Sequence, residues 1–145
     1  MTMQATEIEA IRKSVTVPLP VEKAFRLFTD GVNSWWPVAT HSIGGEDVEN
    51  VLFDPESKRV YERLADGTEH DWADIDAWEP PNRFLLAWRV NPDKIGTEVE
   101  VRFSADGEET RVDLEHRGWE KRGASERADY DGGWDFVLGK YVGAA

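Results

Sequence analysis

The sequence predicts an α+β domain, an antiparallel meander of strands with one face covered by a helix near the C-terminus. Three observations carry that prediction. Between Val48 and Gly118, short apolar-rich runs are separated by turn chemistry such as Asp54-Pro-Glu-Ser57 and Ala65-Asp-Gly67. Two runs alternate cleanly: Val99, Val101 and Phe103 against Glu98, Glu100 and Arg102, then Val112, Leu114, His116 and Gly118 against Arg111, Asp113, Glu115 and Arg117. A sheet with one wet and one covered face produces that pattern. Tyr130, Trp134, Val137, Leu138 and Tyr141 then recur at helical spacing on one apolar face, the natural cover.

Taken in order, Ile8 to Val17 reads as a strand with Ile11, Val15 and Val17 on one parity, although Lys13 falls on the same side. Pro18 and Pro20 end it. Pro20 to Asp30 is a short helix with proline in its first turn and Ala24, Phe25, Leu27 and Phe28 on its apolar side. After Gly31, Val32 to Pro37 is a second brief helical turn, and Thr40 to Asp47 is a polar, glycine-bearing loop. Six strands follow: Val48–Phe53, Lys58–Leu64, Glu69–Trp78, Arg83–Val90, Thr97–Ser104 and Thr110–Gly118. Asn91–Lys94 is a loop, and Ala105-Asp-Gly-Glu108 is a hairpin signal. In the terminal helix Gly132 and Gly133 sit mid-element, each costing roughly 1 kcal/mol against alanine. Close approach of a neighbour or room left for a ligand would offset that cost.

Phe84, Leu86, Trp88 and Val90 share a parity opposite Arg89, so they point inward. One strand resists the pattern. Trp72, Asp74, Asp76 and Trp78 share a parity against Ala73, Ile75 and Ala77. Either two tryptophans face water, where they would suit a homodimer or another protein partner, or a bulge separates them from the carboxylates.

Composition narrows the function. A chain of 145 residues fits one domain, with its ordered core expected over roughly residues 8–143. With no cysteine there is no disulfide framework, thiolate nucleophile or Cys-ligated metal. The formal net charge of −12 argues against nucleic acid and anionic membranes, which need a basic footprint. No apolar run approaches a membrane span, and Met1 to Glu9 lacks the features of a secretory signal, so the expected location is cytoplasmic. Seven tryptophans build either a very aromatic core or a ring-lined cavity.

His116 is the most informative polar residue, because parity places it beside Val112 and Leu114 on the covered face. It suits a hydrogen-bonding or proton-transferring group in a cavity; a core histidine satisfied by its surroundings is the plainer alternative. His41, in the polar loop, and His70, near a strand start, match no metal motif with it, and neither metal nor cofactor is expected. No serine has a nucleophile-elbow context and no glycine pair a phosphate-loop setting. Trp35-Trp36-Pro37 at a helix end, Trp88 on a central strand and Trp134 on the terminal helix would converge either as walls of a mostly apolar pocket or as plain aromatic core.

The chain resembles the helix-grip fold of the START and pollen-allergen superfamily. Within that superfamily it looks like the SRPBCC group related to the C-terminal domain of the activator of heat shock protein 90 ATPase. The resemblance rests on Val17 to Asp30, Trp35-Trp36-Pro37, Trp78 to Trp88, Thr97 to Phe103, Leu114 to Trp119 and Gly133-Trp134. It implies a curved antiparallel sheet wrapped around a long C-terminal helix, two short helices after the first strand, and a ligand tunnel between sheet and helix. The superfamily includes lipid and hormone carriers, aromatase/cyclase enzymes and co-chaperone domains, so fold does not fix function.

The first expectation is therefore binding of a small, largely apolar or aromatic molecule. Trp36, Trp88, Tyr130 and Trp134 would supply stacking surface, Phe103, Val112 and Leu114 the inner apolar wall, and His116 the polar contact. The second is a polyketide cyclase or hydrolase-like enzyme with His116 as general acid or base. The third is a co-chaperone-like or stress-related interaction domain using exposed rings such as Trp72 or Trp78.

Overall fold

The computed structural model describes residues 8–90 and 96–145. Its elements run β1 Ile11–Val17, α1 Val21–Phe28, β2 Val48–Asp54, β3 Arg59–Leu64, β4 Glu69–Glu79, β5 Arg83–Trp88, β6 Thr97–Asp106, β7 Glu109–Arg117 and α2 Ala124–Ala144. Single 3-10 turns occur at Val32–Ser34, Gly45–Asp47 and Trp119–Lys121. The expected loop Asn91–Lys94 lies outside the described residues.

The strands form one sheet in the order β1-β7-β6-β5-β4-β3-β2, with every neighbouring pair antiparallel. It curls as a half-barrel around α2, the helix-grip arrangement. β6 and β7 meet through the two-residue turn Gly107-Glu108, with Gly107 at φ 65°, where glycine carries no steric penalty. Trp134, Val137, Leu138 and Tyr141 of α2 are buried, as their spacing predicts, and the Tyr141 hydroxyl donates to the Ala24 carbonyl at 2.9 Å, joining α2 to α1. Pro20 is the N-cap of α1 rather than a member of its first turn. Phe25 and Phe28 of α1 meet Phe84 and Phe103 at 5.1–6.0 Å between ring centroids, an aromatic core under one end of the sheet. Burial of each such ring is worth about 2–3 kcal/mol.

Two anomalies of the sequence have structural causes. Lys13 does share the inner parity of β1, and its ammonium lies 3.0 Å from both Asp131 and Asp135 on α2, so the cation faces the helix through an ion pair. In β4 the ladder slips twice. Tyr61 pairs with Asp71 and Val60 with Ala73, leaving Trp72 as an extra residue; Ile75 pairs with Leu86 and Ala77 with Leu85, leaving Asp76 as another. These bulges separate rings from carboxylates. Trp72 is 2% exposed and Trp78 packs on Phe25, Phe53 and Phe84, whereas Asp74 and Asp76 face water. Of the two alternatives the bulge holds, and Trp72 is withdrawn from any contact surface while Trp78 is half-buried. On the outer face Glu100 is buried beneath Arg83, Arg102 and Arg117 rather than freely solvated.

Candidate ligand pocket

Four indoles close a ring at one end of the half-barrel. Trp36 follows the 3-10 turn after α1, Trp72 sits at the first β4 bulge, Trp88 ends β5 and Trp134 lies on α2. Successive centroids are 5.1 Å (Trp36–Trp72), 6.0 Å (Trp72–Trp88), 5.9 Å (Trp88–Trp134) and 6.0 Å (Trp134–Trp36), within the range of favourable tilted ring contacts. These four rings, with Thr40, His41, Ser42, Val90, Asp129, Tyr130, Gly133 and Val137, line a pocket of about 270 Å³ that opens at the surface. Deeper in, beneath the indoles, only about 10 Å³ stays open, because Phe28, Phe53, Phe84 and aliphatic side chains fill the space.

Of the residues expected to bind, Trp36, Trp88, Tyr130 and Trp134 come together on this wall. Phe103, Val112, Leu114 and His116 do not line it. Phe103 belongs to the phenylalanine core, while Val112 and Leu114 are buried in the main core. His116 sits behind the wall, fully buried on β7, with its ring against Trp88, Trp119, Tyr130 and Trp134. The Trp134 indole N–H donates to its Nδ1 at 3.0 Å, so Nδ1 is unprotonated and Nε2 carries the hydrogen. That Nε2–H donates to Thr97 Oγ1 at 2.6 Å. Both ring nitrogens are engaged, and burial pushes the imidazole pKa down to about 3. The side chain is a neutral strut between α2, β6 and β7, with no free lone pair for a substrate.

A second buried polar node holds the pocket rim. Glu62 on β3 is fully buried. Its carboxylate accepts from the backbone N–H groups of Ile43 and Gly44 at 2.8 and 2.6 Å, from Trp72 Nε1 at 2.7 Å and from His70 Nδ1 at 2.8 Å. Burial by itself raises the Glu62 pKa, yet these donors outweigh it and hold the carboxyl below its usual value. One side chain thus fixes both a wall indole and the loop that carries Thr40, His41 and Ser42. Gly44 is required by this closeness, since a Cβ there would meet Glu62 Oε2 at 2.9 Å and Leu64 Cδ1 at 2.8 Å. His41 is held in turn: its carbonyl accepts from Trp36 Nε1 at 2.7 Å, its Nδ1 lies 2.7 Å from Thr40 Oγ1, and its ring stacks on Phe136 at 5.0 Å.

Glu62 carried a signal in the sequence, as a lone carboxylate on the parity of Val60 and Leu64. The rim residues carried none, because only the folded loop brings them to α2. Among the described residues no helix is long and apolar enough to cross a membrane.

Known structures agree with this architecture. An anthrahydroquino-gamma-pyrone synthase is 33% identical over 87% of each chain, with a TM-score of 0.59. The self-sacrificing resistance protein CalC from Micromonospora echinospora is 28% identical over 94% of this chain and 93% of that one, at a TM-score of 0.71. The Aha1 dimer from Colwellia psychrerythraea shares the fold, with 16% identity over 94% and 96% of the two chains and a TM-score of 0.67. No curated protein matches. The grip of the sheet on α2 and these likenesses accord with a match over residues 18–140 to the model of the activator of Hsp90 ATPase homolog 1-like proteins, and the chain belongs to that family.

Proposed function

We propose that this protein binds a small, flat, largely apolar aromatic molecule in the pocket between α2, the sheet end and the 40–42 loop. The observation that carries the reading is the cycle of four indoles facing a surface-open space of about 270 Å³. A dry cavity of roughly 150 Å³ can hold benzene, so this volume suits a two- or three-ring molecule. Apolar area removed from water at about 25 cal/mol per Å² favours occupancy. The likeness at 33% identity to a synthase of a fused-ring pyrone supports an aromatic occupant. The acidic, cysteine-free composition supports a cytoplasmic setting.

Binding without catalysis by His116 is the reading best supported, since that imidazole is neutral, occupied at both nitrogens and set behind the wall. Titration with a panel of planar bicyclic compounds tests the proposal. Occupancy quenches tryptophan fluorescence and raises the melting temperature, and Trp36→Ala weakens both responses. A panel that leaves both signals flat in the wild-type protein refutes it.

A further inference from the structure

The polar groups on the pocket wall are unequal. Ser42 Oγ donates to the Val38 carbonyl and accepts from Gly45 N–H, so it is consumed within the rim. Thr40 Oγ1 is engaged with His41 Nδ1. Tyr130 differs. Its Oη accepts the Trp88 indole N–H at 3.0 Å, while its own proton finds no acceptor among the described residues. A hydroxyl that already accepts a hydrogen bond is polarised towards donating one. Burial, the largest influence on this phenol, raises its pKa and keeps the proton in place.

One turn along α2, Gly133 lines the same pocket. Glycine in a helix interior needs a reason. Neighbour packing does not supply it, because a Cβ at Gly133 would meet only His41 Cδ2, at 4.0 Å. Its missing side chain leaves pocket volume open beside Tyr130. The charge environment selects further: Asp129 lines the pocket and the chain carries a net charge of −12, which disfavours a carboxylate or phosphate.

We infer that the occupant is an uncharged planar ring system bearing a carbonyl oxygen, which accepts the Tyr130 hydroxyl proton while the ring lies along α2 over Gly133. This rests on the aromatic-binding reading above and names its ligand chemistry and its size-determining residue.

The test uses two bicyclic probes of similar size, chromone with a ring carbonyl and naphthalene without, measured by calorimetry on the full chain. Wild type is expected to bind chromone roughly tenfold more tightly than naphthalene, the worth of one buried hydrogen bond. Tyr130→Phe abolishes that preference. Gly133→Leu loses both probes, while Gly132→Ala, on the exposed side of the same helix, keeps both; melting curves confirm that each variant folds. Equal wild-type affinities, a preference that survives in Tyr130→Phe, or undiminished binding to Gly133→Leu overturns this assignment and leaves the binding reading standing. Failure of both probes to bind wild type overturns the binding reading and this assignment with it.

Discussion

The indole N–H of Trp134 donates to Nδ1 of His116 across 3.0 Å, and this bond joins α2 to β7 at the back of the aromatic wall. It fixes the histidine tautomer and the indole orientation together. Replacement by His116→Phe leaves the Trp134 N–H and the Thr97 hydroxyl buried without their partner. Unfolding by denaturant is expected to show a loss of about 2–4 kcal/mol.

The same residue predicts an acid sensitivity. The imidazole titrates near its usual 6.5 when unfolded and at about 3 when folded, so below neutral pH the unfolded chain binds the proton first. Stability from this site is whole above pH 6.5 and is lost progressively as pH falls towards 3. Between pH 7 and pH 5 the wild-type protein should lose about 2 kcal/mol that His116→Gln does not lose. The comparison is made with denaturant curves at both pH values, and equal losses in the two proteins would contradict it.

Glu62 acts in a lower window. Its carboxyl lies below the usual glutamate value of 4.5 in the fold, so its contribution is present above that value and declines as pH falls through the folded one. Glu62→Gln turns an acceptor of four donors into a group with only one acceptor oxygen. A stability loss of about 2–4 kcal/mol is expected. Hydrogen exchange should show the amides of Ile43 and Gly44 opening more often than in the wild type.

Glycine-to-alanine substitutions should change sign with position. At Gly132 an added Cβ meets nothing within 4 Å, and the helix should gain up to about 1 kcal/mol. At Gly107, where φ is 65°, the same change forces a left-handed backbone on alanine and should cost about 1 kcal/mol. Melting temperatures of the two variants should move in opposite directions.

Lys13→Met tests the ion pair that crosses from β1 to α2. Asp131 and Asp135 are 46% and 66% exposed, so the pair is open to solvent on one side. The loss should stay under about 1 kcal/mol and shrink further in high salt. A larger, salt-independent loss would contradict a solvent-screened ion pair.

Strand existence and the meander were legible because turn signals separate the runs and period-2 alternation survives wherever one sheet face is wet, as in β6 and β7, whereas the pairing of β1 with β7 was not. β4 was not, since each bulge reverses the parity from which Trp72 and Trp78 would be assigned. The four expected rings on the pocket wall were readable from element faces. Gly133 was flagged as room for a ligand, but Trp72 depended on the β4 bulge and His41 on a loop held by Glu62, a convergence that no local period encodes. His116 was placed inward correctly by parity, but parity says nothing about which nitrogen faces which neighbour.

The ladder between Ile11 and His116 has a consequence for biosynthesis. β1 has no edge to join until β7 has been made, whereas β2 to β6 can zip together hairpin by hairpin. Closing that long-range pairing makes the final step slow relative to the local ones. The nascent chain therefore carries an orphan strand while β2 to β6 are made, and the aromatic wall is completed only once α2 has followed β7 out of the ribosome.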